Sequence, residues 1–350
     1  MKTSSRSAEP SISVVIVTWN GERYVERLLH SLAGALQHCS DAEVIFVDNG
    51  STDKTPEIIK GHAHLFNNRL KLIQLAKNIG YAGGNNVGIA AAKGDVVFLL
   101  NQDTYVDERA IREVLRVFRE DPRVGVAQCF LLQYRQPRIL DSCGDAVSSI
   151  GLGIIGCYGA RYNGNLGERE VSIARGAALA IRRSMLEFSK RVQGAYIPTY
   201  FVAGGYEDWY LSFLARLLGY RVILSPGCVV YHDSLSLRQH DPYILYNALN
   251  LFTELSAPLQ MLVGRVLISL LALAVTGANP LKFLYAITAY LKRLRKRIQA
   301  RYIFGLLMKK KSISPVLIWG NCIGFSDWLR WYISYQRLAL NFEARIQKEY

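Results

Sequence analysis

Asp103 sits where a carboxylate can do chemistry, because the apolar run Val96-Val97-Phe98-Leu99-Leu100 leads through Asn101 and Gln102 directly to it. A buried-type strand that ends in a single acid delivers that acid to the C-terminal edge of a sheet, the edge where ligands bind in open α/β folds. Two earlier runs do the same. Val14-Val15-Ile16-Val17 ends in Thr18-Trp19-Asn20, and Val44-Ile45-Phe46-Val47 ends in Asp48-Asn49-Gly50-Ser51-Thr52-Asp53. Three strand tips therefore bring polar groups to one crevice, and a phosphate ligand held through a metal ion suits such a set. Asp103 is the candidate metal ligand. Asp48 can accept hydrogen bonds from a base or ribose, and Thr18, Asn20 and Glu22 would line the same pocket. Asn20 and Glu22 also suit capping of the next helix. Asp53, in a run rich in turn formers, divides evenly between ligand binding and capping the helix that follows it.

The elements that must position these groups follow from periodicity. Strand Ile12 to Trp19 precedes a helical stretch from Glu22 to about Gln37, then strand Glu43 to Asp48, helix Thr55 to His62 and strand Leu70 to Leu75. A glycine-rich turn at Gly80 to Gly84, a short helix Asn86 to Lys93, strand Asp95 to Leu100 and a helix from Asp107 to Glu120 complete the alternation. Alternating strands and helices predict a doubly wound, mostly parallel α/β sheet with helices on both faces. Asn78, Gly83, Gly84 and Asn85 would form a loop before a helix N-terminus, where small residues let backbone approach a ligand. The pattern is not G-x-G-x-x-G, which disfavours a dinucleotide site.

Beyond about residue 130 the pattern loosens. Gly144, Gly151, Gly153, Gly156, Gly159, Gly164 and Gly167 punctuate a stretch without sustained period, read as mobile loops that could form a lid. Order resumes with the apolar run Gly176 to Ile181. Helical spacing from Tyr206 to Leu218 and the strand-like Arg221 to Leu224 and Val229 to Tyr231 follow.

Thr18-Trp19-Asn20-Gly21, Val47 to Asp53, Asn78 to Asn86, Leu100 to Thr104 and Tyr206-Glu207-Asp208-Trp209 together resemble, in order and spacing, the motifs of family 2 glycosyltransferases. The likeness covers about residues 10 to 235 and is nearest the bacterial rhamnosyltransferase-like branch. It implies a GT-A fold, a nucleotide diphosphate sugar donor, Mg²⁺ or Mn²⁺, and inversion at the anomeric carbon. It also assigns Asp48 to the nucleotide base and brings His232 to the metal or the diphosphate. Where many relatives have Asp, this chain has Asn101, so Asp103 would serve as a lone carboxylate ligand. An inverting displacement needs one base beside the acceptor hydroxyl, and Asp208, after Gly204-Gly205, is the candidate. Arg175 divides between a phosphate contact and an ordinary surface arginine.

Composition sets outer bounds. A chain of 350 residues, 50% hydrophobic, is ample for a packed core and excludes global disorder. The six cysteines have no C-x-x-C spacing and read as reduced thiols of a cytosolic, unexported protein. Of the net charge of +14, most sits after Glu254, since no acid occurs between Glu254 and Asp327. The apolar Val266 to Val275 suits an interfacial or re-entrant helix, and the basic, aromatic stretch 281–303 suits an anionic bilayer. The expected organisation is a flexible tail over 1–9, a catalytic domain over 10–240 and a helical, membrane-associated region over 241–350. This places the chain on the cytoplasmic face of the cell membrane, with a saccharide or lipid-linked acceptor and an anionic membrane surface as partners. No nucleic-acid partner is expected, because no nucleic-acid module accompanies the charge. A polyprenyl-phosphate glycosyltransferase is the nearest alternative.

Overall fold

The computed structural model describes residues 10–147, 153–162, 164, 167–199 and 205–233, together with single helical positions at 266, 288 and 291. The expectations for the C-terminal region fall outside the described residues.

The first half follows the alternation of the sequence: β1 (Ile12–Thr18), α1 (Glu22–Ala35), β2 (Ala42–Asp48), α2 (Thr55–Gly61), β3 (Leu70–Gln74), α3 (Tyr81–Ala91) and β4 (Val96–Asn101). β1 lies between β2 and β4 and is parallel to both, while β3 extends the sheet in parallel beyond β2. Runs of Val, Ile, Leu and Phe form β1, β2 and β4 because both faces are covered, leaving no position for a polar alternation, whereas β3 exposes Lys71 and Gln74. Val15, Val17, Ile45, Val47, Val97 and Leu99 pack into one layer, and Val14, Ile16, Val44, Phe46, Phe98 and Leu100 into the other. The second layer also takes the apolar stripe of α1, Val25, Leu28, Leu29 and Leu32.

The second half is β5 (Thr104–Val106), α4 (Ala110–Glu120), β6 (Val124–Gln133), β7 (Leu140–Ser142), β8 (Asp145–Val147), β9 (Gly153–Ile155), β10 (Arg169–Glu170), β11 (Ala178–Arg182), α5 (Arg183–Gln193), α6 (Glu207–Leu217) and β12 (Arg221–His232). The main sheet runs β10-β12-β6-β11-β4-β1-β2-β3, with β5 paired to β12 and β7 to β6.

This sheet is mixed, which corrects the mostly parallel expectation: β11 is antiparallel to both β4 and β6. Among the described residues no helix stands between β7 and β11, so no crossover imposes a parallel entry there. Three local expectations also change. The glycine-rich segment is the opening of α3 and not a turn before it. Arg221 to Tyr231 is one strand, with a register shift between Ser225 and Val229 where it bulges. Residues 144–167 include the antiparallel pair β8 and β9, so part of this stretch is regular structure. The cysteines depart from the reduced reading: Cys129 pairs with Cys228 and Cys143 with Cys157, while Cys39 is buried and in no disulfide. The pairs join segments 99 and 14 residues apart in sequence, a proximity that linear spacing does not reveal.

Candidate active site

The parallel strands β1, β2 and β4 end together, and their tips are stitched by side chains. Gln102 accepts the Trp19 N–H at 2.9 Å and donates to the Trp19 carbonyl at 3.3 Å, which ties the turn after β4 to the end of β1. Asn20, in the left-handed region at φ 46°, accepts the Thr52 N–H at 2.9 Å. Asp53 accepts the Glu22 N–H at 3.1 Å and the Thr55 N–H at 3.1 Å, so it caps two helix starts at once. Burial opposes its charge, but the Thr55 hydroxyl, which donates to Oδ1, and these two amides hold its carboxyl below its ordinary value. Glu22 in turn accepts the Lys54 N–H at 3.2 Å.

Thr18 and Asp48 are register neighbours on β1 and β2 and both are buried. Asp48 accepts the Ser51 N–H at 3.2 Å, while the Thr18 hydroxyl is buried without a hydrogen-bond partner among the described residues. A buried hydroxyl left unpaired is costly unless a water or ligand meets it. Asn49 links this rim to the next loop, donating to Asn78 Oδ1 at 3.1 Å and accepting the Ile79 N–H at 2.9 Å. Gly83 and Gly84 lie inside the first turns of α3. A side chain at Gly84 would meet Val17 Cγ1 at 2.7 Å, so its smallness lets the helix seat on β1. Asn85 is buried and donates back to the Tyr81 carbonyl at 2.9 Å.

Asp103 stands in the turn between β4 and β5, and its carbonyl accepts the Asp233 N–H at 2.8 Å. This bond brings the end of β12 beside it. His232 is buried there, with Nε2 3.4 Å from Asp103 Oδ1 and Nδ1 2.9 Å from Asp141 Oδ2. Burial opposes the charge on the imidazole, but the hydrogen bonds to the two carboxylates prevail and raise His232 to about 9. Asp141 is held below its ordinary value: burial raises it, but the hydrogen bond from His232 outweighs that.

On a second wall, Asp208 opens α6. Its Oδ2 accepts the Gly176 N–H at 3.1 Å and its Oδ1 accepts the Trp209 N–H at 2.9 Å. Burial nevertheless pushes Asp208 above the usual carboxylate range, with Arg175 opposing. Arg175 Nη1 lies 3.7 Å from Asp145 Oδ2, and burial raises Asp145 to about 6. The two walls meet at Tyr81. Its hydroxyl donates to Asn101 Oδ1 at 2.9 Å, and burial together with the charges of Glu207, Asp208 and Asp103 pushes the phenol above its ordinary value.

The donor set suits a divalent ion. Asp103 Oδ1 and His232 Nε2 are 3.4 Å apart, a separation two ligands of one ion adopt at bonds of about 2.1 Å. Asp141 on Nδ1 would orient the ring so that an ion could take the place of the Nε2 proton that faces Asp103, the usual outer-shell arrangement of a metal-binding histidine. Asn101, tied to Tyr81, is engaged elsewhere. The structure thus brings Asp103 and His232 together, and the charges of Asp103 and Asp208 both bear on Tyr81. Asp141, Asp145 and Tyr81 were not singled out by sequence reasoning. Asp141 gives a usable signal afterwards: it is a lone acid in a short strand, β7, that is buried throughout.

Comparison with known proteins agrees with this geometry. Residues 13–141 match the family model for glycosyl transferase family 2. An uncharacterized glycosyltransferase of a Nostoc species is 36% identical over 115 residues, which span 33% of this chain and 35% of that protein. The poly(ribitol-phosphate) beta-N-acetylglucosaminyltransferase TarS of Staphylococcus aureus is 34% identical over 102 residues, 29% of this chain and 18% of that protein. The chain therefore spans about a third or less of these curated relatives. The solved structure of TarS residues 1–349 superposes with a TM-score of 0.55 at 19% identity, covering 88% of this chain and 89% of that one. GalNAc-T7, solved with UDP, GalNAc and Mn²⁺, gives 0.56 at 18% identity, covering 70% of this chain and 48% of that one. These likenesses establish a GT-A-like α/β fold.

Proposed function

We propose that the chain is an inverting glycosyltransferase that moves a sugar from a nucleotide diphosphate donor to a saccharide acceptor in cell-surface polysaccharide synthesis. One observation carries the reading: the Asp103–His232–Asp141 chain lies at the strand ends, and the buried carboxyl of Asp208 shares Tyr81 as a neighbour with Asp103. Thr18, Asn20, Glu22, Asp48 and Asn78 line the rim on which the nucleoside would rest. Asp103 and His232 would hold Mg²⁺ or Mn²⁺, which supplies charge neutralisation for the departing diphosphate when bound. Asp208 takes the proton of the acceptor hydroxyl as that oxygen attacks the anomeric carbon. Its burial raises its basicity, and the Gly176 and Trp209 amides fix its orientation. A single displacement of this kind inverts the anomeric centre.

The sugar we propose is rhamnose or another hexose, and the acceptor is lipid-linked at the cytoplasmic face of the membrane. The basic, acid-free stretch between Glu254 and Asp327 supports that placement. TarS has been solved with UDP-GlcNAc, which supports including N-acetylhexosamine donors among those tested. The test is a thermal-shift panel of nucleotide sugars with Mn²⁺, run on the wild-type chain and on Asp103→Ala. A true donor raises Tm by mass action in the wild type. In Asp103→Ala the Mn²⁺-dependent part of that rise disappears. Absence of any nucleotide-sugar stabilisation in the wild type overturns the donor class. An undiminished Mn²⁺ effect in the variant overturns the metal assignment.

A further inference from the structure

One stripe of α1 carries Glu22, Glu26 and His30, spaced four residues apart and so stacked along a single helix face. Glu22, at the N-terminal end of the stripe, accepts the Lys54 N–H just before α2. His62, which follows α2 as its C-terminal cap, meets the other two residues. Its Nε2 is 3.7 Å from Glu26 Oε1, and its ring stands edge-on to that of His30 with centroids 5.2 Å apart. One ligand atom from each of Glu26, His30 and His62 lies within 4.8 Å of the others. His62 Nδ1 is 2.8 Å from the Ile58 carbonyl oxygen. A carbonyl can only accept, so Nδ1 carries the proton in that bond and the lone pair of the neutral ring falls on Nε2, the nitrogen turned toward Glu26. This is the outer-shell bond that orients histidine ligands in metal sites.

We propose that Glu26, His30 and His62 form a second metal site, one that takes a borderline transition ion of the Zn²⁺ class and uses none of the active-site residues. Two imidazoles and one carboxylate suit Zn²⁺, Co²⁺ or Ni²⁺, whereas Mg²⁺ and Ca²⁺ favour oxygen donors. Glu26 and His30 are exposed and His62 is half-buried, so an ion enters without opening the fold, and water can complete a tetrahedral shell. The competing arrangement is a protonated His62 paired with Glu26, a weak surface ion pair that gives His30 no role. Bound here, the ion ties α1 to the end of α2. The opposite end of the same seam holds the Asn20–Thr52 and Glu22–Lys54 contacts beside the nucleotide rim.

The experiment uses tag-free full-length protein in excess Mg²⁺, which occupies oxygen-rich sites. Zn²⁺ binding is followed by calorimetry, Co²⁺ binding by its visible ligand-field absorption, and stability by thermal shift. The expected result is one tightly bound Zn²⁺ per chain, displaced by chelator, together with a Zn²⁺-dependent rise in Tm. His30→Gln and His62→Gln each weaken binding by about tenfold or more, since even loss of an outer-shell partner costs that much. Both variants fold and keep their Tm in the absence of Zn²⁺. Unchanged Zn²⁺ affinity in the His30→Gln/His62→Gln double variant overturns the proposal, because the ion is then held elsewhere, as at Asp103 and His232. Absence of Zn²⁺ binding by the wild type overturns it equally.

Discussion

Asp208 and Asp145 are both carboxyls raised by burial, yet only Asp208 is oriented by two backbone amides. Asp208→Asn keeps the shape and removes the proton acceptor. Turnover should fall by roughly 10² or more while donor binding, measured by thermal shift, survives. Full activity in that variant would remove Asp208 from the mechanism. Asp145 gives a pH signature instead. Its folded value of about 6 exceeds the ordinary 3.8, so the folded state holds a proton that the unfolded chain releases. The stability contributed by protonated Asp145 is complete below 3.8 and is lost as pH rises through about 6. Asp145→Asn can still accept from Ser142 and Gly156 but cannot ionise. Its Tm relative to wild type should therefore climb between pH 4 and pH 6, about the window the two values define, and then level off; a flat difference would show that Asp145 is solvated. At this scale Asp103 could be singled out because an apolar run leads to it, whereas the roles of His232 and Asp208 came from the resemblance to the family's motifs. Asp141 and Asp145 were not singled out, because they lie among glycines without periodicity, and only the β6–β7 pairing carries Asp141 beneath His232.

The seating of α3 on the sheet tests the elements. A Cβ at Gly88 would meet Val15 Cγ1 at 2.3 Å and Val47 Cγ2 at 3.2 Å, both on stiff β-branched side chains. Gly88→Ala gains up to about 1 kcal/mol of helix propensity, while overpacking a close-packed core costs about 1–3 kcal/mol, so the clash should win. We expect a lower Tm and weaker nucleotide binding, since β1 carries Thr18 at its tip. A raised Tm would mean that α3 sits farther from β1. β1, β2 and β4 were readable because short Val, Ile, Leu and Phe runs bounded by turn residues suit strands buried on both faces. The start of α3 was misplaced because glycines at helix positions mimic a turn; here they are small so that the helix can approach Val15 and Val17. The antiparallel β11 and the disulfides were unreadable for a related reason. Strand direction depends on the path of the connecting segment, and Cys129 with Cys228 become neighbours only when β6 and β12 pair.

For the whole molecule, charge is the property that extends furthest beyond the catalytic fold. No helix among the described residues is long and apolar enough to cross a membrane. The acid-free block containing Lys292, Arg293, Arg295, Lys296, Arg297, Arg301 and Lys309-Lys310-Lys311 carries much of the +14 net charge. On the proposed membrane placement, each basic residue near an anionic bilayer would contribute about 1 kcal/mol toward drawing the chain to that surface. Screening acts over about 10 Å at 0.1 M salt, whereas burial of neighbouring apolar groups such as Phe283, Leu284, Tyr285 and Ile287 does not weaken with salt. Full-length protein should float with anionic liposomes and be released only in part by high salt. Charge reversal at Lys292, Arg293, Arg295, Lys296 and Arg297 should reduce flotation with anionic vesicles and leave binding to neutral detergent unchanged. Failure of the wild-type chain to float with anionic vesicles at low salt would remove the membrane from the proposed function and leave the basic block to serve another anionic partner.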